Sequence, residues 1–248
     1  MSIEKKKQSN SFRELFKTLL IAGSIAIFFR SIFFEPFNIP SGSMIPTLLV
    51  GDYLFVSKYS YGYSKYSFPF GVVPISDRVL DKTPKRGDVI VFRKPGEESI
   101  DYIKRLVGIP NDTIQIKKGI LFINSKKIKR IKTNIGIMKN IFGDEKVFTQ
   151  YKETYDNLNF HHIIEASDND PFDDTIEFIV PKGHFFFMGD NRDNSRDSRT
   201  AEVGFVPKKN LIGKAQIIFF SHNGSASFFE FWKWHKSIRF SRIGKAIE

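Results

Sequence analysis

The chain has 248 residues, 41% of them hydrophobic and 27 of them Phe, which suits one large folded domain or two small ones and excludes a disordered chain. It carries a formal net charge of +11, yet no helix-turn-helix pattern, zinc spacing or RNA-binding aromatic motif accompanies the charge, so no nucleic-acid partner is expected. Cysteine is absent, which excludes a disulfide framework, a thiolate nucleophile and a cysteine-ligated metal while leaving the compartment open.

Residues 1–17 are polar and mostly basic, with Lys5, Lys6, Lys7, Arg13 and Lys17 against Glu4 and Glu14. From Thr18 to Phe29 the chain is apolar or small; Arg30 interrupts, and Ser31-Ile32-Phe33-Phe34 continues to Glu35-Pro36. The unbroken run is shorter than the ~20 residues of a full span and resembles a signal-peptide core. Against removal, no small-x-small cleavage site follows it. The run from Leu15 to Phe34 also approaches full span length once Arg30 reaches up to the headgroups. Apolar residues cover every face, unlike the single stripe of an amphipathic core helix. The expectation is a retained anchor over 18–34, with a cytoplasmic N-terminus and an exported remainder.

Phe37-Asn38-Ile39-Pro40-Ser41-Gly42-Ser43-Met44-Ile45-Pro46-Thr47 follows directly. Two prolines and a glycine hold this backbone in one irregular shape, with hydroxyls set among apolar side chains. That suits a nucleophile with fixed aim, and it equally suits a structural turn.

Asp52–Ser57 alternates and reads as a strand. Residues 57–86, rich in Tyr, Ser, Pro and Gly, read as a surface loop or extended hairpin. Val89–Phe92 reads as a buried strand opened by Arg86-Gly87-Asp88, and Pro95-Gly96-Glu97-Glu98 as a turn. Asp101–Gly108 reads as a strand in which Lys104 keeps apolar company; the ordinary reading of such a lysine is a head group that reaches water. Thr113–Lys117 and Ile120–Asn124 alternate around Lys118-Gly119, a hairpin signal. Residues 125–175, basic at first and then acidic (Asp168, Asp170, Asp173, Asp174), show no clear periodicity and read as short strands and loops inserted into the main fold. Ile176–Val180 and Phe185–Met188 read as strands, the second ending in Gly189-Asp190-Asn191-Arg192-Asp193-Asn194-Ser195-Arg196-Asp197-Ser198-Arg199. This stretch lacks the sixth-position glycine of a calcium loop, so it reads as a network of ion pairs pinning an irregular backbone, and no metal is expected. Leu211–Phe220 reads as a strand. The tail mixes Phe228, Phe229, Phe231, Trp232 and Trp234 with Lys233, Lys236, Arg239 and Arg242. It suits a bilayer interface or an aromatic end packed on the core.

With no cysteine, serine leads among nucleophiles. None of His161, His162, His184, His222 or His235 sits in a triad motif, and no Gly-x-Ser-x-Gly elbow is present. Lysine remains as a base. At its ordinary pKa roughly one in two thousand is neutral at pH 7, and burial among apolar groups raises that fraction. Lys104 has such neighbours.

Ile39-Pro40-Ser41-Gly42-Ser43-Met44, Arg86-Gly87-Asp88-Val89, Asp101-Tyr102-Ile103-Lys104-Arg105 and the Gly189–Ser195 run with Asp197 and Arg199 resemble the ordered motif set of bacterial type I signal peptidases, from the anchor to about residue 219. The resemblance implies a mostly β protein: an antiparallel catalytic core of the Ser-Lys protease type, an inserted second β subdomain and one N-terminal transmembrane helix. The expected division is 1–17 cytoplasmic, 18–34 anchor, 35–112 and 181–248 catalytic core, and 113–180 insert. It implies Ser43 as nucleophile, Lys104 as general base, and the Ser43 N–H with the Ser41 hydroxyl as oxyanion hole. Ser195 would orient the Lys104 amine, and Asp197 and Arg199 would pair to stiffen the site. Substrate would meet Phe37, Ile39, Pro40, Met44, Leu48, Tyr102 and Ile103. Arg196 departs from the family pattern and either lowers the lysine pKa or points outward. The implied activity is cleavage of signal peptides from exported preproteins after small residues, by a monomer without cofactor or metal, in contact with membrane lipid, on the outer face of the plasma membrane. Two rivals are a soluble Ser-Lys self-cleaving repressor, which lacks such an anchor, and a non-catalytic membrane-anchored β scaffold.

Overall fold

The computed structural model describes residues 2–68, 73–75, 77–139, 145–155, 160–167, 170–227 and 229–248. Parts of the expected 57–86 loop (69–72 and 76), Asp168 and Phe228 lie outside the described residues.

The chain opens with one long helix, α1 (Ser2–Ile32), whose Ser11–Ile32 stretch is long and apolar enough to cross a membrane. Phe34, expected at the end of the apolar run, instead begins a strand. That strand, β1 (Phe34–Asn38), had no sequence signal, because Glu35 and Pro36 break the apolar pattern. Pro is tolerated there because β1 is an edge strand with a single neighbour.

The remaining strands are β2 (Asp52–Ser57), β3 (Val89–Lys94), β4 (Glu97–Gly108), β5 (Thr113–Lys117), β6 (Ile120–Ile123), β7 (Lys126–Lys127), β8 (Lys129–Lys139), β9 (Glu145–Thr154), β10 (Phe160–Glu165), β11 (Phe178–Ile179), β12 (His184–Met188), β13 (Val206–Pro207) and β14 (Leu211–Ser221). They form three antiparallel sheets. The largest has the order β1-β2-β14-β3-β4-β12-β13, beside sheets of β10-β9-β8 and β11-β5-β6-β7. The protein is mostly β, as the alternating segments imply.

Several boundaries differ from expectation. Glu97 and Glu98 belong to β4, so the tight turn is Pro95-Gly96 alone, with Gly96 at φ +80. The 176–180 strand shrinks to two residues. The stretch expected to hold only short strands contains β8 and β9, of eleven and ten residues. Their alternation is masked because Ile135, Ile137 and Val147 face outward rather than into a core. Residues 58–68 are more than surface loop: Lys58, Tyr61, Ser64 and Ser67 are buried. In the tail, Phe229, Phe231 and Trp232 are exposed rather than packed on the core.

Two apolar clusters flank the main sheet. One gathers Ile39, Met44, Leu48, Leu54, Val56, Val89, Val91, Ile212, Ala215 and Ile218; the other gathers Tyr61, Ile90, Phe92, Leu106, Phe185, Phe187 and Leu211. Each fully buried Leu, Ile or Phe contributes about 1.5–3 kcal/mol, and together they fix the strands that carry the site.

Candidate active site

Ser43 sits in a single 3-10 turn, Gly42–Met44, entered through Ser41 in extended conformation. The turn is pinned from beneath. Met44 and Leu48 are 0% exposed and packed in the core, and the Leu48 N–H donates to the Met44 carbonyl at 2.9 Å. Both were expected to meet substrate, and both are core residues instead. The turn points Ser43 into the cleft and so directs the next side chain inward.

The loop after β12 pins the turn from the side. Asn191 donates its backbone N–H to the Ser43 carbonyl at 3.0 Å and its side-chain amide to the Gly42 carbonyl at 3.1 Å. Gly189 is required here. A Cβ on it would lie 2.5 Å from the Ser43 carbonyl oxygen and 2.3 Å from Ser195 Oγ. Gly189→Ala is therefore expected to push the serine turn out of line and lower kcat/KM about a hundredfold, the usual cost of misplacing a reacting group by ~1 Å. Steady-state cleavage by the purified variant checks this.

Lys104 comes from β4 and is 4% exposed. Its Nζ lies 2.8 Å from Ser43 Oγ and 3.0 Å from the Ile103 carbonyl oxygen, with the Tyr102 ring centroid at 5.2 Å. Burial pulls the amine down to about 8, against the opposing pull of the Asp197 and Asp190 carboxylates. Ser41 Oγ is 3.4 Å from Ser43 Oγ. Ser43, Ser41 and Lys104 are thus brought together.

Asp197 and Arg199 pair in bidentate fashion, Nε to Oδ1 and Nη2 to Oδ2 both at 2.9 Å, and Asp197 also accepts the Gly189 N–H at 3.0 Å. Burial resists ionisation of Asp197, but Arg199 and these donors hold its carboxyl below the usual range. The expected hydrogen bond from Ser195 to Lys104 is not found among the described residues: Ser195 Oγ is buried, turned against Gly189 and toward the Asp197 carboxylate, which it helps hold ionised. Arg196 points outward, 78% exposed in its side chain, with Glu202 at 3.7 Å.

The cleft in front of Ser43 holds about 720 Å3. Of the residues expected to contact substrate, Phe37, Ile39, Pro40, Tyr102 and Ile103 line it. Asn38, Val91, Ile100, Asp101, Phe172, Asp193 and Asn194 join them without having been expected. Two open sheet edges bound it: β1 pairs only with β2, and β4 from Glu97 to Lys104 pairs only with β3, since β12 joins at Arg105.

Behind the cleft lies a buried charge network that residue-by-residue reading missed. Lys104 and Arg105 are neighbours on a strand, so their side chains leave opposite faces. Arg105 Nε and Nη2 meet Asp190 at 2.8 and 2.7 Å, and Thr47 Oγ1 donates to Asp190 at 2.5 Å. Arg192 forks onto Glu153 of β9, which His161 of β10 also approaches at 3.2 Å. The Ile164 N–H donates to the Asp190 carbonyl at 2.9 Å, so β10 grips the same loop. The available signal was the Asp-Asn-Arg-Asp run itself, read as ion pairs but without partners. Among the described residues no cluster of His, Asp and Glu is arranged to hold a metal.

An antiparallel β fold that sets a serine beside a buried lysine, behind a helix apolar enough to cross a membrane, suits a serine peptidase. The chain belongs to the family described as "Signal peptidase, peptidase S26", which matches residues 12–220. It is 40% identical to the signal peptidase I of Rickettsia typhi, over 100% of this chain and 98% of that one. It is 44% identical to that of Rickettsia conorii, over 79% of this chain and 75% of that one. A crystal structure of a signal peptidase I from Enterococcus faecalis aligns at 25% identity over 54% of this chain and 97% of that one, with a TM-score of 0.32. The chain is therefore an enzyme, a serine peptidase of the signal peptidase type.

Proposed function

We propose that this enzyme removes N-terminal signal peptides from exported preproteins through a Ser43–Lys104 dyad, cutting after small residues of the Ala-x-Ala type. One observation carries the dyad: a buried amine 2.8 Å from a serine hydroxyl. Neutral Lys104 takes the Ser43 proton as Oγ attacks the scissile carbonyl carbon. The Ser43 N–H and the Ser41 hydroxyl donate to the oxyanion, each worth of order 3 kcal/mol in the transition state. The Lys104 ammonium returns its proton to the departing amine, leaving an acyl-enzyme on Ser43. Water, losing a proton to Lys104, attacks the acyl carbonyl; the C–Oγ bond breaks, Lys104 returns that proton to Ser43 Oγ, and the signal peptide leaves with a free carboxyl end.

The substrate lies as an added strand between the open edges of β1 and β4, with Ile39, Val91, Tyr102 and Ile103 leaving room for small side chains. Residues 35–112 and 181–248 serve as the catalytic core and 113–180 as the insert. Helix α1 crosses the plasma membrane with the basic N-terminus in the cytoplasm, and the enzyme works on the outer face as a monomer. The exposed tail aromatics Phe229, Phe231 and Trp232 meet lipid.

The test is preprotein cleavage in detergent across pH. With the Lys104 pKa near 8, kcat/KM is expected to rise about tenfold per pH unit below that value and to level off above it. A profile flat from pH 6 to 9 contradicts the dyad. The same shift has a consequence for stability. Between the folded value near 8 and the ordinary value near 10.5, the unfolded chain binds more protons, so stability rises with pH across that window. The charged amine thus costs the fold up to ~3 kcal/mol at neutral pH. Lys104→Met is expected to be inactive yet more stable than the parent at pH 7, and to lose the alkaline rise, as urea unfolding at several pH values measures.

A further inference from the structure

A buried lysine away from the cleft has no part in the mechanism above. Lys58, just past β2, is 2% exposed. Its Nζ lies 2.8 Å from Glu35 Oε2 and donates to the Ser67 carbonyl. The other Glu35 oxygen, Oε1, accepts Arg30 Nε at 2.9 Å. Arg30 belongs to the last turn of α1, and Glu35 to β1. One carboxylate therefore holds a cation from the apolar helix and a cation from the catalytic sheet.

The backbone around this carboxylate leaves no slack. Only Phe33 separates α1 from β1. The Lys58 N–H donates to the Phe33 carbonyl at 3.0 Å, and Tyr63 Oη donates to the Ile32 carbonyl at 2.9 Å. Phe34 meets the Tyr59 ring edge-on at 5.6 Å. From there β1 runs through Phe37 and Asn38, which line the cleft, to Ser41 and Ser43. A domain that merely needs tethering is served by a flexible linker. A buried ion pair adds little stability over an apolar pair of the same size, and its best-attested use is to fix one geometry among several.

We propose that Arg30, Glu35 and Lys58 form a charged joint that fixes the height and tilt of the cleft over the bilayer, and so sets which bond of a membrane-inserted signal peptide reaches Ser43. This rests on the proposed membrane-crossing anchor with the cleft on the outer face. The three are positioning residues, acting through β1 on where the substrate meets the nucleophile. Arg30 is 56% exposed in its side chain, so replacing it leaves the fold intact.

The test uses the full-length enzyme in phosphatidylglycerol-containing vesicles, as parent, Arg30→Gln and Glu35→Gln. Each is given two substrates: a preprotein inserted in the same vesicles, and a short soluble peptide spanning its cleavage site. Peptide hydrolysis by Arg30→Gln is expected to stay within about twofold, as for a surface change, whereas Glu35→Gln, which strands the buried Lys58, is judged by its ratio of preprotein to peptide cleavage with its melting temperature recorded. Preprotein cleavage is expected to fall at least about tenfold, with cuts spreading to neighbouring bonds, as for a misplaced reacting group. An equal fall on both substrates means the ion pairs only support the fold, and no change on either means the joint positions nothing; both overturn the proposal. Parent cleavage of the inserted preprotein, lost in Ser43→Ala, checks the signal-peptidase reading separately, so that reading can stand when the joint fails.

Discussion

Ser43→Ala and Lys104→Ala are each expected to lower preprotein cleavage at least about a thousandfold, and the double variant to be no worse than either alone. In the proposed mechanism the two side chains act as one unit: the hydroxyl is a weak nucleophile without a base, and the amine takes its proton. At 2.8 Å they are already within transfer distance, so neither loss is offset by rearrangement. What would remain in each variant is the proposed oxyanion donors and strand-addition cleft, which still bind and polarise the substrate. Single-turnover cleavage by all three variants, with melting temperatures recorded to show that each is folded, measures this. Additive losses would mean that serine and lysine work independently.

Asp190→Ala is expected to be the most destabilising single change at the site, costing about 3–5 kcal/mol because it strands a buried guanidinium. Arg105 is 2% exposed and, among the described residues, finds its one carboxylate partner in Asp190, which it holds below the usual carboxylate range despite burial. At roughly 2–4 °C per kcal/mol for a chain of this size, the melting temperature should fall by on the order of 10 °C. Activity falls with it, since Asp190 also accepts from Thr47 in the segment after the Ser43 turn. Removing both charges, as in Arg105→Met with Asp190→Leu, is expected to recover most of the stability, because a well-packed apolar pair replaces a buried ion pair at little cost. Thermal unfolding of the single and double variants in detergent checks both statements.

Local chemistry made much of the architecture legible. Lys118 and Gly119, both with positive φ, form the turn that the alternation of 113–124 implied, and β2 and β14 follow from their apolar pattern. The edge strand β1 was hidden by Glu35 and Pro36, whose reasons for being there are a charge contact and a free sheet edge. Met44 and Leu48 lie buried in the core and not along the cleft; residue type alone does not say which side of a turn faces inward. Ser43 and Lys104 lie 61 residues apart, and nothing in composition or spacing pairs them; only the likeness of the motifs to a known family did. The Arg105–Asp190 and Arg192–Glu153 pairs were out of reach for the same reason, as each joins segments that only the sheet order brings together.

The most direct measurement is the titration of the one amine on which the proposed chemistry turns. Carbon-13 NMR of lysine Cε in the labelled enzyme, with the Lys104 signal identified by its loss in Lys104→Met, should give a midpoint near 8 that coincides with the rise in kcat/KM. A midpoint at the ordinary lysine value near 10.5, or one that the rate does not follow, would contradict the assignment of Lys104 as the base.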